Sequence, residues 1–225
     1  MNKHFLSVLL VSALSQLVAA ASHAQGNAPW VGTTFSGVQC SGNGQGFGPF
    51  DYLSRSSLRD KLNIVESYHF THEVEQLLRG KSGRIAGDID YTLRAWPNHH
   101  RALNAMMRYQ NAQSRKWEHA PGLAGVPPVE CYFQRAINFS PKDGTVRMLF
   151  AMHLQKNQQL DRAGTLYQEA LDLEPNNLQL KYNYALLLVE LREYERAREF
   201  ARAIYEMDFP LMGLQKKLKN KGFWP

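Results

Sequence analysis

Four histidines are the first residues in this chain to suggest chemistry. They fall in two close pairs, His69 with His72 and His99 with His100. Imidazole nitrogens bind zinc well, and Glu73 or Glu75 would add an oxygen donor beside the first pair. Such a set, holding an activated water, would serve a metal-dependent hydrolase. The spacing argues against it. Thr71 lies between His69 and His72 and is a residue type that starts helices, so the two rings need not share a face. His99 and His100 are neighbours and diverge on a helix. No His-Glu-x-x-His, Gly-x-Ser-x-Gly or Cys-x-x-Cys-His run is present. The glycines at 42, 44, 46 and 48 look like a phosphate loop but lack the Lys-Ser/Thr ending and a following helical pattern. The histidines are therefore read as solvated or hydrogen-bonding groups. No catalytic residue, metal or cofactor is expected, with a hydrolase built on His69, His72, His99 and His100 as the alternative.

The elements that would carry any site are clearer than the chemistry. Residues 161–175, DRAGTLYQEALDLEP, place Ala163, Tyr167, Ala170 and Pro175 four, three and five residues apart. The small residues let two helices approach, the aromatic fills the gap between units, and the proline ends the helix. The pattern recurs. Phe133, Ala136 and Pro141 lie 34 residues before Tyr167, Ala170 and Pro175. Ala197 lies 34 residues after Ala163, and Pro210 follows Pro175 by 35. Residues 144–154 and 178–188 read as the partner helices, with Phe150 and Ala151 in the first and Tyr182, Asn183, Ala185 and Leu188 in the second.

This period and spacing resemble the tetratricopeptide repeat, a helix–turn–helix unit of about 34 residues. The resemblance covers 144–210 and extends to 97–143. It departs from the family at Lys181 and Arg147, where Trp is frequent, and at Ala201 and Ile204, which replace an aromatic and an Ala. It implies an all-α array of helical hairpins, a short right-handed solenoid. Three repeats are expected over 97–210, the first carrying an insertion at 113–128 that reads as a surface loop. Residues 57–96 read as N-terminal helices forming a degenerate repeat, with Ala86, Tyr91 and Pro97 out of strict register. Ser57 with Asp60 resembles a capping box for a helix over 57–70. Thr71 caps the next, which Gly80 and Gly83 break. Residues 25–56 form a Gly- and aromatic-rich extension without periodicity, expected to wrap the helices through Trp30, Phe47, Phe50 and Tyr52.

The chain ends add a location and a charge. Residues 1–24 read as a secretory signal peptide, with Lys3 and His4 before an apolar run and Ser22-His23-Ala24 as the cleavage site. This predicts an exported, periplasmic protein without a lipoprotein anchor. The formal charge of +6 would fall to about +5 with Lys3 removed. That charge does not lie along an aromatic groove, and export also argues against nucleic acid. Four lysines, at 216, 217, 219 and 221, crowd the segment 211–225 beside Leu211, Leu214 and Leu218. It reads as a capping helix, as repeat arrays need. A sharper reading is contact with anionic lipid headgroups or an acidic partner.

What remains for function is a surface. In the family, inner-face residues of each first helix line a groove. Carried over, these are Thr145, Met148, Met152 and Gln155 in the middle repeat, and Gln179, Tyr182, Asn183, Leu186 and Glu190 in the last. The resemblance implies a non-catalytic adaptor that binds a peptide or helix of another envelope protein, for example in a pilus, secretion or transport assembly. Helical periodicity leaves open whether this face is groove or core. Cys40 and Cys131 are the only cysteines, and an even count in an exported protein favours one disulfide. It would close a loop of about 90 residues, worth ~4–5 kcal/mol in the chain-entropy model. Peptide mapping without reductant should recover the crosslinked pair, and two free thiols in protein from its native compartment would refute it.

Overall fold

The computed structural model describes residues 27–113 and 125–225. The expected signal segment and most of the 113–128 insertion lie outside the described residues. Among those described there are ten α-helices and no strand, only an isolated antiparallel bridge between Thr33 and Gln39. The helices are α1 (Arg59–His69), α2 (His72–Glu75), α3 (Ile85–Ala95), α4 (His100–Ala112), α5 (Val129–Phe139), α6 (Gly144–Lys156), α7 (Leu160–Leu173), α8 (Leu178–Glu190), α9 (Tyr194–Tyr205) and α10 (Gly213–Lys219). Consecutive helices pack in pairs, α6 on α7 and α8 on α9, and each pair stacks on the next.

The repeat is visible in its caps. First helices α4, α6 and α8 begin after His99, Asp143 and Asn177, and each cap side chain accepts the backbone N–H three residues on. Each thereby satisfies one of the orphan donors of a helix start. The caps lie 44 and 34 residues apart, so the insertion adds ten residues to one unit. Pro97, Pro141 and Pro175 each precede a cap by two positions. They follow Trp96, Ser140 and Glu174, the C-caps of the preceding second helices, all outside helical geometry. Proline cannot continue a helix and pushes its predecessor out of helical geometry.

The same offsets fix the packing. On α7 the buried stripe is Ala163, Tyr167 and Ala170, and on α9 it is Ala197, Ala201 and Ile204. On α5 it is Val129, Phe133 and Ala136. Applying the 44-residue offset to α3 gives Ile85, Ile89 and Thr92, of which Ile89 and Thr92 are fully buried. This corrects the register read from Ala86 and Tyr91. Tyr91 is only partly buried and stacks on His69 at 3.8 Å, outside the main core. Thr92 fits the small-residue position because its hydroxyl donates to the Asp88 carbonyl at 2.9 Å.

On α5 and α7 an aromatic meets one on the next first helix. Phe133 stacks on Phe150 at 5.1 Å, and Tyr167 meets Tyr184 at 5.6 Å. The next equivalents are Ala201 and Leu218, both buried. Thus α10 occupies the place of a further first helix, with Leu214 and Leu218 closing the array against α8 and α9.

Two local expectations fail near the N-terminus. The Ser57–Asp60 capping box does not form. The helix starts at Arg59 after Leu58, and the Ser57 hydroxyl donates to the Ser54 carbonyl, prolonging the 3-10 turn Tyr52–Ser54. The helix after Thr71 is a single turn, stopped before either glycine because Leu77 adopts positive φ.

The extension is pinned rather than loose. Cys40 and Cys131 are bonded, with Cα atoms 5.5 Å apart. Arg135 on α5 is buried and donates to the carbonyls of Ala28 and Leu93 and to Gln45 Oε1, all at 2.7–2.8 Å, with Trp30 over its guanidinium. Burial brings its pKa down to about 10, against the opposing pull of Asp90. Gln134 grips the Thr33 backbone from both sides, accepting its N–H and donating to its carbonyl. Phe50 and Tyr52 pack on Trp96. Gly48 passes so close to Ala95 that a Cβ would sit 2.4 Å from its carbonyl oxygen, a place only glycine can take.

Ala163 and Ala170 have no exposed surface. Ala163→Leu or Ala170→Leu should overpack the helix contact and lower stability by roughly 1–3 kcal/mol. Urea midpoints measure this, and unchanged values for both would refute the assigned register.

Candidate functional site

The inner faces of α6 and α8 border an open cleft of about 440 Å³ lined by Met152, Gln155, Lys156, Gln158, Tyr167, Asn183, Leu186 and Glu190. Five of these are residues that the repeat register points to: Met152, Gln155, Asn183, Leu186 and Glu190. Gln179 lies one turn before Asn183 and donates to its Oδ1 at 3.0 Å. Asn183 in turn points its amide at the Met152 sulfur, 3.4 Å away. At the other end of the cleft Tyr167 donates to Gln155 Oε1 at 3.4 Å, and Gln155 donates to Glu190 Oε2 at 2.8 Å. Burial, with the Glu190 charge nearby, pushes the Tyr167 hydroxyl well above its ordinary pKa. It therefore stays a neutral donor. The cleft thus carries amides held in fixed orientations between a methionine and a leucine.

Met148 and Tyr182 take a different place. Both are buried and neither lines the cleft, so they belong to the core. The Tyr182 ring packs against Phe209 at 5.2 Å, and its hydroxyl lies against Gly213, where a Cβ would come within 2.7 Å. The chain running into α10 therefore covers the groove at this point. Thr145, the first inner-face residue of α6, is bound by Glu174, which accepts both its N–H and its hydroxyl. Lys156, Gln158 and Tyr167 were not legible as cleft residues. Tyr167 reads as filler between units, and Gln158 comes into place through the turn after α6, where it adopts positive φ.

The four histidines are dispersed over different partners. His69 Nδ1 lies 3.0 Å from Asp88, which also accepts the N–H groups of Lys81 and Ser82. His72 is exposed. His100 contacts Asp143 at 2.8 Å, in a polar junction where Asn98 donates to both Asp51 and Asp143. His99 is fully buried, its Nδ1 accepting the Ala102 N–H and its Nε2 facing Glu66 at 3.0 Å. Among the described residues, no group of three or more His, Cys, Asp or Glu side chains is arranged to hold a metal ion.

Residues 154–208 match the tetratricopeptide repeat family. With the caps, prolines and buried stripes in register from α3 to α10, the described helices form a tetratricopeptide-repeat array, a kind of fold that generally serves protein–protein interaction. No curated protein matches the sequence.

The buried cap His99 makes a pH prediction. Desolvation holds its pKa below the usual value, outweighing the pull of Glu66. The unfolded chain takes up a proton near pH 6.5, where the folded chain resists it. A depressed folded pKa means that this contribution is complete above about pH 6.5 and lost as the pH falls. His99→Asn keeps a good cap residue and removes the titration. Its urea midpoint should fall less than that of the natural protein between pH 7 and pH 5, and equal slopes would refute the assignment.

Proposed function

We propose that this protein is an exported adaptor without a catalytic centre, whose cleft between α6 and α8 receives an extended or helical segment of another envelope protein. The observation that carries this reading is the cleft itself: five residues from the inner faces of α6 and α8 converge on one surface, and the Gln155 and Asn183 amides are already oriented. Amides held this way meet a partner's backbone with little further ordering cost. Methionine and leucine beside them accept varied apolar side chains. The disulfide supports export, since such bonds persist in oxidising compartments. Among the described residues no helix is long and apolar enough to cross a membrane. A pilus, secretion or transport assembly is the kind of setting in which such an adaptor acts.

A photo-crosslinking residue in place of Lys156 should capture a defined envelope protein in intact cells. Asn183→Ala with Leu186→Ala should then lower that partner's affinity more than tenfold, as loss of interface anchors worth ~2 kcal/mol would. Far-UV dichroism should stay unchanged, because alanine suits both helical positions. Substituting His69 and His72 should leave binding intact. Undiminished binding by the double variant would overturn the cleft assignment.

A further inference from the structure

The α10 end of the array presents a surface that the cleft does not use. Leu214 and Leu218 face inward and are buried. On the opposite side Met212, Lys216 and Lys219 follow one another at spacings of four and three, so they share one face of the helix. Lys217 and Lys221 flank that face, and all four lysines are exposed. Among the described residues, none of them makes an ion pair. Residues 209–225 contain these four lysines and no Asp or Glu. The acids just before them, Glu206 and Asp208, are exposed and belong to the turn after α9. Met207, Leu211 and Met212 also open to solvent here, at 65%, 45% and 43% exposure.

A capping element needs only a polar outer face. This one joins unpaired ammonium groups to exposed aliphatic side chains. The combination matches the boundary layer of an anionic bilayer, where aliphatic groups enter the headgroup region and ammonium groups meet phosphates. Single-stranded nucleic acid fits less well, because it is held by bases stacking on free aromatic rings. The aromatics nearby are engaged internally, Phe223 with Tyr194 at 4.8 Å and Trp224 with Tyr205 at 5.6 Å. We propose that the α10 end docks this protein peripherally on an anionic lipid surface, with Lys216, Lys217, Lys219 and Lys221 as the charge contacts and Met207, Leu211 and Met212 as the apolar ones.

Co-sedimentation of the full chain with vesicles tests this without any protein partner, so its outcome is independent of the cleft reading. Vesicles containing phosphatidylglycerol should bind the protein, and phosphatidylcholine vesicles should not. Binding should weaken as salt rises. Lys216→Gln, Lys217→Gln, Lys219→Gln and Lys221→Gln together should lower partitioning on the order of a hundredfold or more, and arginine at the same positions should restore it. Leu211→Ser with Met212→Ser should weaken binding while leaving the urea midpoint unchanged. No sedimentation with phosphatidylglycerol vesicles at low salt would overturn the proposal. So would undiminished binding after loss of the aliphatic side chains, which would assign the lysines to a soluble polyanion instead.

Discussion

The close contact of each second helix with the first helix of the next unit is the constraint on which the rest of this structure depends. It is made by one ring pair in two successive units, Phe133 on Phe150 and Tyr167 on Tyr184. Small residues beside the rings, such as Ala136, Ala151, Ala170 and Ala185, are buried and let the backbones approach. Neither helix of a hairpin can bury its apolar stripe alone, so stability comes from neighbours stacking. The array must then be closed at both ends. At one end α10 supplies Leu218 where a ring stands in the earlier units. At the other, α1 and α2 pack on α3 and α4, and the extension is laid as a cover over α3 and α5.

That cover explains why so many polar groups are buried at the N-terminal side. Asp51, Asn98, Ser140, Asp143 and His100 join the extension to the turns before α4 and α6 in one hydrogen-bonded cluster. Asp143 is at once the cap of α6 and the acceptor for Asn98 and His100. Asp90 likewise accepts from Tyr132, Asn43 and Arg94. Buried polar groups persist when they are satisfied, and here most partners come from segments far apart in sequence. The disulfide and Arg135 fasten the same region, so the extension behaves as part of the folded body.

This closure leaves the molecule with two surfaces of different character. The cleft between α6 and α8 is mixed in polarity, with its side chains restrained by one another. The α10 end is basic and aliphatic, with lysines that face solvent alone. Covering Tyr182 by the chain from Phe209 to Gly213 separates them, because it removes from the groove the aromatic most suited to anchoring a ligand.

The sequence by itself determined the hairpins from α5 to α9, because proline stops, small residues and aromatics are local requirements of helix ends and helix contacts. It also determined the disulfide partners, since two cysteines allow one pairing. It misled at α3, where Tyr91 drew the register toward a partly exposed ring and away from Ile89 and Thr92. A ten-residue insertion had shifted the period to 44, and that shift becomes plain once Pro97, Pro141 and Pro175 are aligned with their caps. Tertiary structure alone decided which inner-face residues are open. Met152 and Leu186, which stay partly open, share the helical face of Met148 and Tyr182, so periodicity treats them alike. Only the path of the chain after α9 buries Tyr182, and no local pattern encodes where a later segment will lie. His69, His99 and His100 follow the same logic: their carboxylate partners stand 19 to 43 residues away, and folding alone brings each one to its ring.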